Sequence, residues 1–270
     1  MQLSIQHTTS YSYDPEASSA ALRLKLFPPE AASQSTMDWH VSVNGDQVTP
    51  LFTDSNGNPV ALWHRHRPVD AIEIVAAGTI ATTDTAGVLK DLTMAARPGV
   101  FLRETGLTKG SDEIKALTNG IEGATTLDQM HALSDLIHQS IAYRKGATAA
   151  TTTAAEALAR GAGVCQDQAH VFIAAARQMG VPARYVAGYV FDEKGSPVTE
   201  ETHAWAEVFI PDLGWTGFDI THQLCPTDLY VRLSVGLDAA DAAPIRGTLS
   251  GEVDETLSTV VSVSQSQSQQ

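Results

Sequence analysis

Three residues, Cys165, His203 and Asp219, carry the side chains of a thiol nucleophile, a base and a carboxylate. A cysteine thiol becomes a nucleophile when a neighbouring imidazole removes its proton, and a carboxylate can hold that imidazole in the required tautomer. Such a set would attack an amide carbonyl, release an amine and leave a thioester. Whether the three side chains meet depends on the elements that carry them.

Cys165 opens a predicted helix, CQDQAHVFIAAARQMG, that follows Gly163 and Val164. Apolar residues recur at helical spacing on the same face as the cysteine, at Ala169, Phe172, Ile173, Ala176 and Met179. At a helix N-terminus the unpaired N–H groups and the dipole stabilise a thiolate, and the same groups can hold an oxyanion beside the sulfur. Buried structural cysteines are also common, so this position alone leaves both interpretations open.

His203 and Asp219 lie on a predicted hairpin, HAWAEVFIPDLGWTGFDITH. Alternate residues of a strand share a face, so the side chains of His203 and Trp205 point the same way. A three-residue loop at 211–213 places Asp219 opposite Trp205 and diagonal to His203, at about 7–8 Å on the same face. A two-residue loop places His203 and Asp219 on opposite faces. The sequence leaves the choice of register open.

Two segments, TTAAEALARGAGVCQDQAHVFIAAARQMGVPARYVAGYV and HAWAEVFIPDLGWTGFDITH, strongly resemble the bacterial transglutaminase-like superfamily. The segments YSYDPEASSAALRLKLFPP and DSNGNPVALW resemble the β-rich N-terminal domain that accompanies it in many bacterial members. The resemblance implies a papain-like core and a catalytic triad of Cys165, His203 and Asp219. The chain departs from the family pattern, with consequences for loop shape or substrate fit, at Ile220, His222, Leu237 and Ala239.

The resemblance also implies cleft residues around the triad. The backbone N–H of Cys165 would supply one oxyanion donor, and Tyr143, in SIAYRKG, is a candidate for the second. An aromatic at the edge of the core is the alternative for Tyr143. Trp205 would shield the imidazole of His203 and line the cleft, or would belong to the core.

The order of predicted elements is strands, then helices, then strands, which favours two domains with an α+β second domain. The first hundred residues alternate apolar and polar side chains, as in ALRLKLFPP, and Asn44-Gly45 signals a hairpin. We predict an antiparallel β-sandwich domain at 1–95, a papain-like or transglutaminase-like catalytic domain at 96–263, and a disordered polar tail at 264–270.

Composition argues against several classes of partner. The formal net charge of −14 repels nucleic acid and anionic membranes, and the short basic cluster HRHRP at 64–68 is typical of a solvated edge or loop. The sequence has no run of 18 apolar residues and no recognisable secretory signal, so we expect a cytoplasmic protein.

No cofactor or metal is indicated. Nucleotide-binding glycine motifs and the C-x-x-C and H-E-x-x-H patterns do not occur. Cys165, His203 and His222 could be imagined as zinc ligands, but a helix N-terminus suits a nucleophile better. The other cysteine, Cys225, is interpreted as structural.

These observations together predict acyl transfer from an amide of a peptide or protein substrate, through a thioester on Cys165. Water would resolve the thioester in a peptidase or amidase, and a second amine would do so in a transglutaminase. We expect hydrolysis of a peptide or isopeptide bond, with transamidation as the alternative. A third hypothesis is a non-enzymatic partner-binding module whose catalytic domain is vestigial.

Overall fold

The computed structural model describes residues 1–90, 96–192, 198–199 and 202–266. Its strands are β1 (Gln2–Ala17), β2 (Ser19–Leu24), β3 (Gln34–Val43), β4 (Asp46–Val48), β5 (Phe52–Thr53), β6 (Pro59–Arg65), β7 (Val69–Thr82), β8 (Val88–Leu89), β9 (Ala142–Tyr143), β10 (Ala162–Gly163), β11 (Ala183–Val190), β12 (Val198–Thr199), β13 (His203–Ile210), β14 (Gly214–Phe218), β15 (Tyr230–Gly236), β16 (Ile245–Ser250) and β17 (Asp254–Gln265). Its helices are α1 (Asp112–Thr118), α2 (Thr126–Ser140), α3 (Ala154–Arg160), α4 (Cys165–Gln178) and α5 (Ala239–Ala242), with a 3₁₀ helix at Pro98–Leu102. Within the described ranges, no helix has the length and apolar character needed to cross a membrane.

The β-rich region consists of two antiparallel sheets, ordered β12-β17-β1-β7-β3-β4 and β16-β2-β6-β5. Alternating apolar side chains of both sheets face one another and form a shared core, as Leu3 and Ile5 of β1 do with Leu22 and Leu24 of β2. The predicted hairpin joins β3 to β4 through Asn44 and Gly45, both at positive φ. The predicted sandwich is thereby confirmed.

A five-stranded sheet, ordered β15-β11-β13-β14-β8, and the helices around α4 form the second layered unit. α4 packs on β11 and β13, while α1, α2 and α3 pack against α4. Almost every side chain of α4 is buried, because the helix has the sheet on one side and helices on the other. This α+β core is the predicted fold class.

The two layered units share strands and core residues. β16 pairs with β2, and β17 pairs with β1 as far as Gln265, so residues 264 and 265 of the predicted tail belong to a strand. β8, in turn, pairs with β14 of the five-stranded sheet. Residues 91–95 and 267–270 lie outside the described ranges. The domain division at residue 95 stays a prediction.

Three buried charged side chains form a salt-bridge cluster that links strands of the five-stranded sheet behind the site. Glu207 of β13 accepts hydrogen bonds from Arg184 of β11 at 2.6 Å and from Arg232 of β15 at 2.9 Å. The Arg184 guanidinium also lies 3.8 Å from the ring centroid of Trp215. Burial raises the pKa of Glu207, but the charges and hydrogen bonds of the two arginines outweigh burial and lower that pKa. This salt-bridge cluster fixes the position of β13, whose first residue is His203.

Replacing Glu207 by Gln should destabilise the protein by about 3 kcal/mol, because it leaves two buried arginines without their counter-charge. Urea unfolding followed by circular dichroism measures the change. Glu73→Gln is the matched control, since Glu73 is an exposed carboxylate on β7, and it should change the free energy of unfolding by no more than about 0.5 kcal/mol. Equal urea midpoints for the two variants would show that the salt-bridge cluster contributes nothing to the free energy of unfolding.

Candidate active site

The thiol of Cys165 lies at the first position of α4, as predicted. The preceding backbone is held by Asp167, whose Oδ2 accepts hydrogen bonds from the Val164 N–H at 2.8 Å and from the Thr148 hydroxyl at 2.6 Å. Cys165 is 8% exposed, so its side chain is largely enclosed yet reachable. The helix N-terminus thus presents a thiol on its buried face, at the positive end of the helix dipole.

The hairpin that carries the histidine has the three-residue loop and the register that bring the base and the carboxylate together. β13 ends at Ile210 and β14 begins at Gly214, with Ala206 opposite Phe218. This pairing leads Asp219 to the side of His203, and the imidazole Nε2 lies 2.6 Å from Asp219 Oδ2. The open choice of register is therefore resolved in favour of the longer loop.

His203 also interacts with Cys165, so one imidazole lies between the thiol and the carboxylate. Burial lowers the pKa of His203, but the hydrogen bonds and charges of Asp219 and Cys165 outweigh it and raise the pKa to about 10. Since Nε2 faces Asp219, the ring nitrogen left for the thiol is Nδ1. An ionised carboxylate only accepts hydrogen bonds, so the neutral imidazole carries its proton on Nε2 and offers a lone pair at Nδ1.

The Asp219 carboxylate is fully buried and accepts hydrogen bonds at both oxygens. Oδ1 accepts the backbone N–H groups of Thr221 at 2.9 Å and His222 at 3.1 Å. Oδ2 accepts the His222 Nδ1–H and the Tyr230 hydroxyl, each at 2.7 Å, besides His203. Burial raises the pKa of Asp219, but the hydrogen bonds and charges of the two histidines outweigh it and hold the pKa well below its usual range.

Tyr230, at the start of β15, was not singled out from the sequence, and no local signal could have found it. Burial, and then the charge of Asp219, raise the pKa of Tyr230 far above its ordinary value, so its hydroxyl keeps its proton and donates. The sequence indicates His222 as a departure from the family pattern and as an imaginable zinc ligand, but not as a partner of Asp219. Its place three residues after Asp219, at the end of a strand, is the local signal that would have indicated contact.

Gln168 is a second feature that the sequence did not single out. Its side-chain amide donates to the Ile141 carbonyl at 2.9 Å, and its Oε1 accepts from the Thr221 hydroxyl at 2.7 Å. The bond to Thr221 ties the first turn of α4 to the loop after Asp219, and the bond to Ile141 ties it to the end of α2. They therefore hold the thiol and the carboxylate at a fixed separation.

Trp205 lies behind the imidazole, as the sequence suggested. It is buried, and its ring is stacked on His203 with centroids 6.2 Å apart and edge-on to Tyr230 at 5.5 Å. Gly188, opposite His203 on β11, leaves room for this ring, because a Cβ there would come within 2.4 Å of Trp205. Trp205 thus covers one face of the imidazole from within the core.

Tyr143 lies on a short strand that pairs with the segment before the nucleophile, and it is half-exposed. It belongs to β9, pairs with Gly163 two residues before Cys165, and is 48% exposed. The following residue, Arg144, donates its backbone N–H to the Gly163 carbonyl at 2.7 Å. The aromatic ring therefore lies at the surface rather than in the core, on the strand that pairs with the segment before the thiol.

The nitrogen and oxygen atoms of His203, Asp219 and His222 lie within 4.8 Å of one another, close enough to suggest a metal centre. However, Asp219 Oδ2 is only 2.6 and 2.7 Å from the two imidazole nitrogens. Two ligands of one zinc ion, each bound at about 2.0–2.1 Å, would be about 3.3 Å apart in tetrahedral geometry. These separations fit hydrogen bonds and do not fit shared coordination.

Known protein families and solved structures resemble this chain in both sequence and fold. Residues 115–220 match the transglutaminase-like superfamily, and residues 3–81 match the bacterial transglutaminase-like N-terminal region. The crystal structure of a candidate cysteine protease from Cytophaga hutchinsonii superposes with a TM-score of 0.76 at 23% identity, over 99% of this chain and 92% of that one. This likeness confirms the fold.

Two curated relatives illustrate the range of similarity. An uncharacterized protein of Mycobacterium leprae is 24% identical over 275 residues, which span 97% of this chain and 98% of that protein. A protein-glutamine gamma-glutamyltransferase of Pseudomonas aeruginosa is 33% identical over 84 residues, which span 29% of this chain and 12% of that enzyme. The full-length similarity and the local similarity to a transferase are thus carried by different relatives.

Proposed function

Because the chain belongs to the transglutaminase-like superfamily, we propose that it is a cysteine-dependent enzyme that transfers the acyl group of an amide. The nucleophile is Cys165, the base is His203 and the orienting carboxylate is Asp219. The observation that carries the proposal is that one imidazole interacts with the thiol and is also hydrogen-bonded to a buried carboxylate. A structural cysteine has no need of such a connection.

In the first half of the reaction, Nδ1 of His203 takes the thiol proton and the sulfur attacks the amide carbonyl carbon. The C=O electron pair moves to oxygen, and the oxyanion forms beside the backbone N–H of Cys165 at the N-terminus of α4. The imidazolium then donates its proton to the nitrogen, the C–N bond breaks, and the amine leaves. The acyl group remains on sulfur as a thioester.

In the second half, a nucleophile resolves the thioester. Water gives up a proton to His203, attacks the acyl carbon and releases a carboxylic acid, while the proton returns to the sulfur. We propose this hydrolytic course for a peptide or isopeptide bond of a peptide or protein substrate. Throughout the cycle, Asp219 keeps the imidazole in the tautomer that accepts at Nδ1 and stabilises the imidazolium.

Transamidation is the second candidate, favoured by the local similarity to the protein-glutamine gamma-glutamyltransferase. In that course a primary amine attacks the thioester in place of water and forms a new amide. Peptide substrates supplied with and without an added alkylamine separate the two candidates. Hydrolysis gives a free acid in both reactions, whereas transamidation gives an amide product that contains the added amine.

Tyr143 and Trp205 complete the proposed cleft. Tyr143 is half-exposed on the strand that pairs with Gly163, and we assign its hydroxyl as the second oxyanion donor. Trp205 shields the face of the imidazole that turns toward the core. Both assignments depend on the proposed reaction.

The proposal is tested by the rate at which iodoacetamide alkylates Cys165 between about pH 4 and pH 9. We expect rapid reaction near neutrality in the parent, because the imidazole supplies a cationic partner for the thiolate. His203→Ala should slow the reaction at neutral pH by about 100-fold, since an isolated thiol with a pKa of about 8.5 is only a few per cent ionised there and has also lost its neighbour.

Cys225 is the internal reference, because burial raises the pKa of its thiol and no imidazole contact is expected to activate it. Peptide mass spectrometry distinguishes the two cysteines in the same sample. If Cys165 reacts no faster than Cys225 at neutral pH, the active-enzyme proposal fails. The hypothesis of a partner-binding module with a vestigial catalytic domain would then replace it.

A further inference from the structure

The Asp219 carboxylate holds two imidazoles on the same oxygen, although the triad needs only one. Its Oδ2 lies 2.6 Å from His203 Nε2 and 2.7 Å from His222 Nδ1. The two rings have centroids 5.0 Å apart at an angle of 39°. His203 is nearly enclosed, with 11% of its side chain exposed, whereas 47% of the His222 side chain is exposed.

We infer that His222 is a positioning residue of the triad, which holds Asp219 against His203 when neutral and weakens their pairing when protonated. This inference rests on the proposed function of Cys165, His203 and Asp219. The neutral ring donates from Nδ1 to the carboxylate and covers it from the solvent side. The protonated ring adds a positive charge beside the same carboxylate and close to the imidazolium that the thiolate requires.

His222 is exposed enough to exchange protons with solvent, and its charged or titratable neighbours come from three strands. The charged or titratable groups that face it are Asp219 at the end of β14, His203 of β13 and Tyr230 of β15, whose hydroxyl lies 3.1 Å from Nδ1. Cys165 of α4 interacts with His203, the imidazole on the other side of Asp219. From α2, Asp135 contacts the neighbouring Gln223, and His138 contacts the Ile220 carbonyl.

Protonation of His222 therefore acts mainly on the other imidazole. Two like charges about 5 Å apart repel by about 1–3 kcal/mol at effective dielectric constants between bulk water and the protein surface. This repulsion is present only when His222 is protonated, so it is an effect of acidification. The imidazolium of His203 is then less favoured, and with it the reactive thiolate of Cys165.

Two substitutions separate the holding role from the charge. His222→Asn keeps a side-chain N–H donor at a similar distance from the backbone, but it cannot become charged. His222→Ala removes the donor as well and opens the carboxylate to water. Both variants keep the backbone N–H groups of Thr221 and of residue 222 on Asp219 Oδ1, so the loop should fold in both.

The experiment measures alkylation of Cys165 by iodoacetamide from about pH 5 to pH 8 in the parent, the two variants and the control His64→Asn. His64 is an exposed histidine of β6 in the β-rich region. We expect the parent and the control to lose about tenfold in rate between pH 7 and pH 5, a decline that His222→Asn reduces to about twofold. At neutral pH the Asn variant should stay within about threefold of the parent, while His222→Ala should be about tenfold slower, because it lacks a hydrogen bond to a charged group.

Each result has one meaning. A flat acid profile in His222→Asn, together with slow reaction in His222→Ala, supports the inference. Profiles for both variants that match the parent would overturn the inference and leave the proposed function standing, since the thiol would still be activated. A parent thiol that reacts like Cys225 would overturn both.

Discussion

Cys165→Ser should abolish acylation of the protein by p-nitrophenyl acetate, with a loss of about 10⁴-fold in rate, while the fold is retained. Serine keeps the shape of the side chain and can still hydrogen-bond to His203. However, its hydroxyl is a far weaker acid than a thiol, so the imidazole at Nδ1 cannot hold it as an anion before attack. The ester probe is independent of the natural substrate, because it needs only a nucleophile and an oxyanion site.

Cys225→Ser is the matched control for this prediction. Cys225 is partly buried in the segment between β14 and β15 and precedes Pro226. It has no place in the proposed reaction. The control should acylate at the parent rate, and both variants should unfold within about 1 kcal/mol of the parent in urea. A Cys165→Ser variant that unfolds much more readily than Cys225→Ser would instead indicate a cysteine needed for packing.

The elements that position the triad could be predicted because their signals are local. The helix that begins at Cys165 is indicated by apolar residues three and four positions apart. The hairpin needed only one further fact, the length of the loop at 211–213. Once that loop has three residues, the two-residue period of the strands brings Asp219 to the side of His203.

The second layer around the triad could not be predicted because it is made across the chain. Tyr230 reaches Asp219 from a neighbouring strand, and Gln168 reaches Thr221 from the helix. Neither contact follows from spacing, since each depends on how packed elements meet. The same holds for β17, which pairs with β1 from the other end of the sequence. The cytoplasmic location and the lack of a nucleic-acid partner stay predictions.

Asp219→Asn should lower the rate of acylation by about 10³-fold, and the reason lies in the donors around the carboxylate. Backbone N–H groups of Thr221 and His222 converge on Oδ1 and cannot become acceptors. The amide oxygen of Asn should therefore occupy the Oδ1 position, which turns its NH₂ group toward His203. The imidazole must then accept at Nε2 and carry its proton on Nδ1. In that tautomer the nitrogen that faces Cys165 is a donor, so it cannot take the thiol proton.

The loss of charge acts in the same direction, because Asp219 is among the groups that raise the pKa of His203 to about 10. In Asp219→Asn that pKa should fall markedly, and the thiolate should lose its cationic partner near neutrality. NMR titration of the His203 ring measures the fall, and the ester probe measures the rate. Asp212→Asn is the matched control, since Asp212 is an exposed carboxylate in the loop of the same hairpin, and it should leave both values unchanged. If Asp219→Asn retained the parent rate while the pKa of His203 fell, Asp219 would serve only to anchor the loop, and the base would work without an orienting carboxylate.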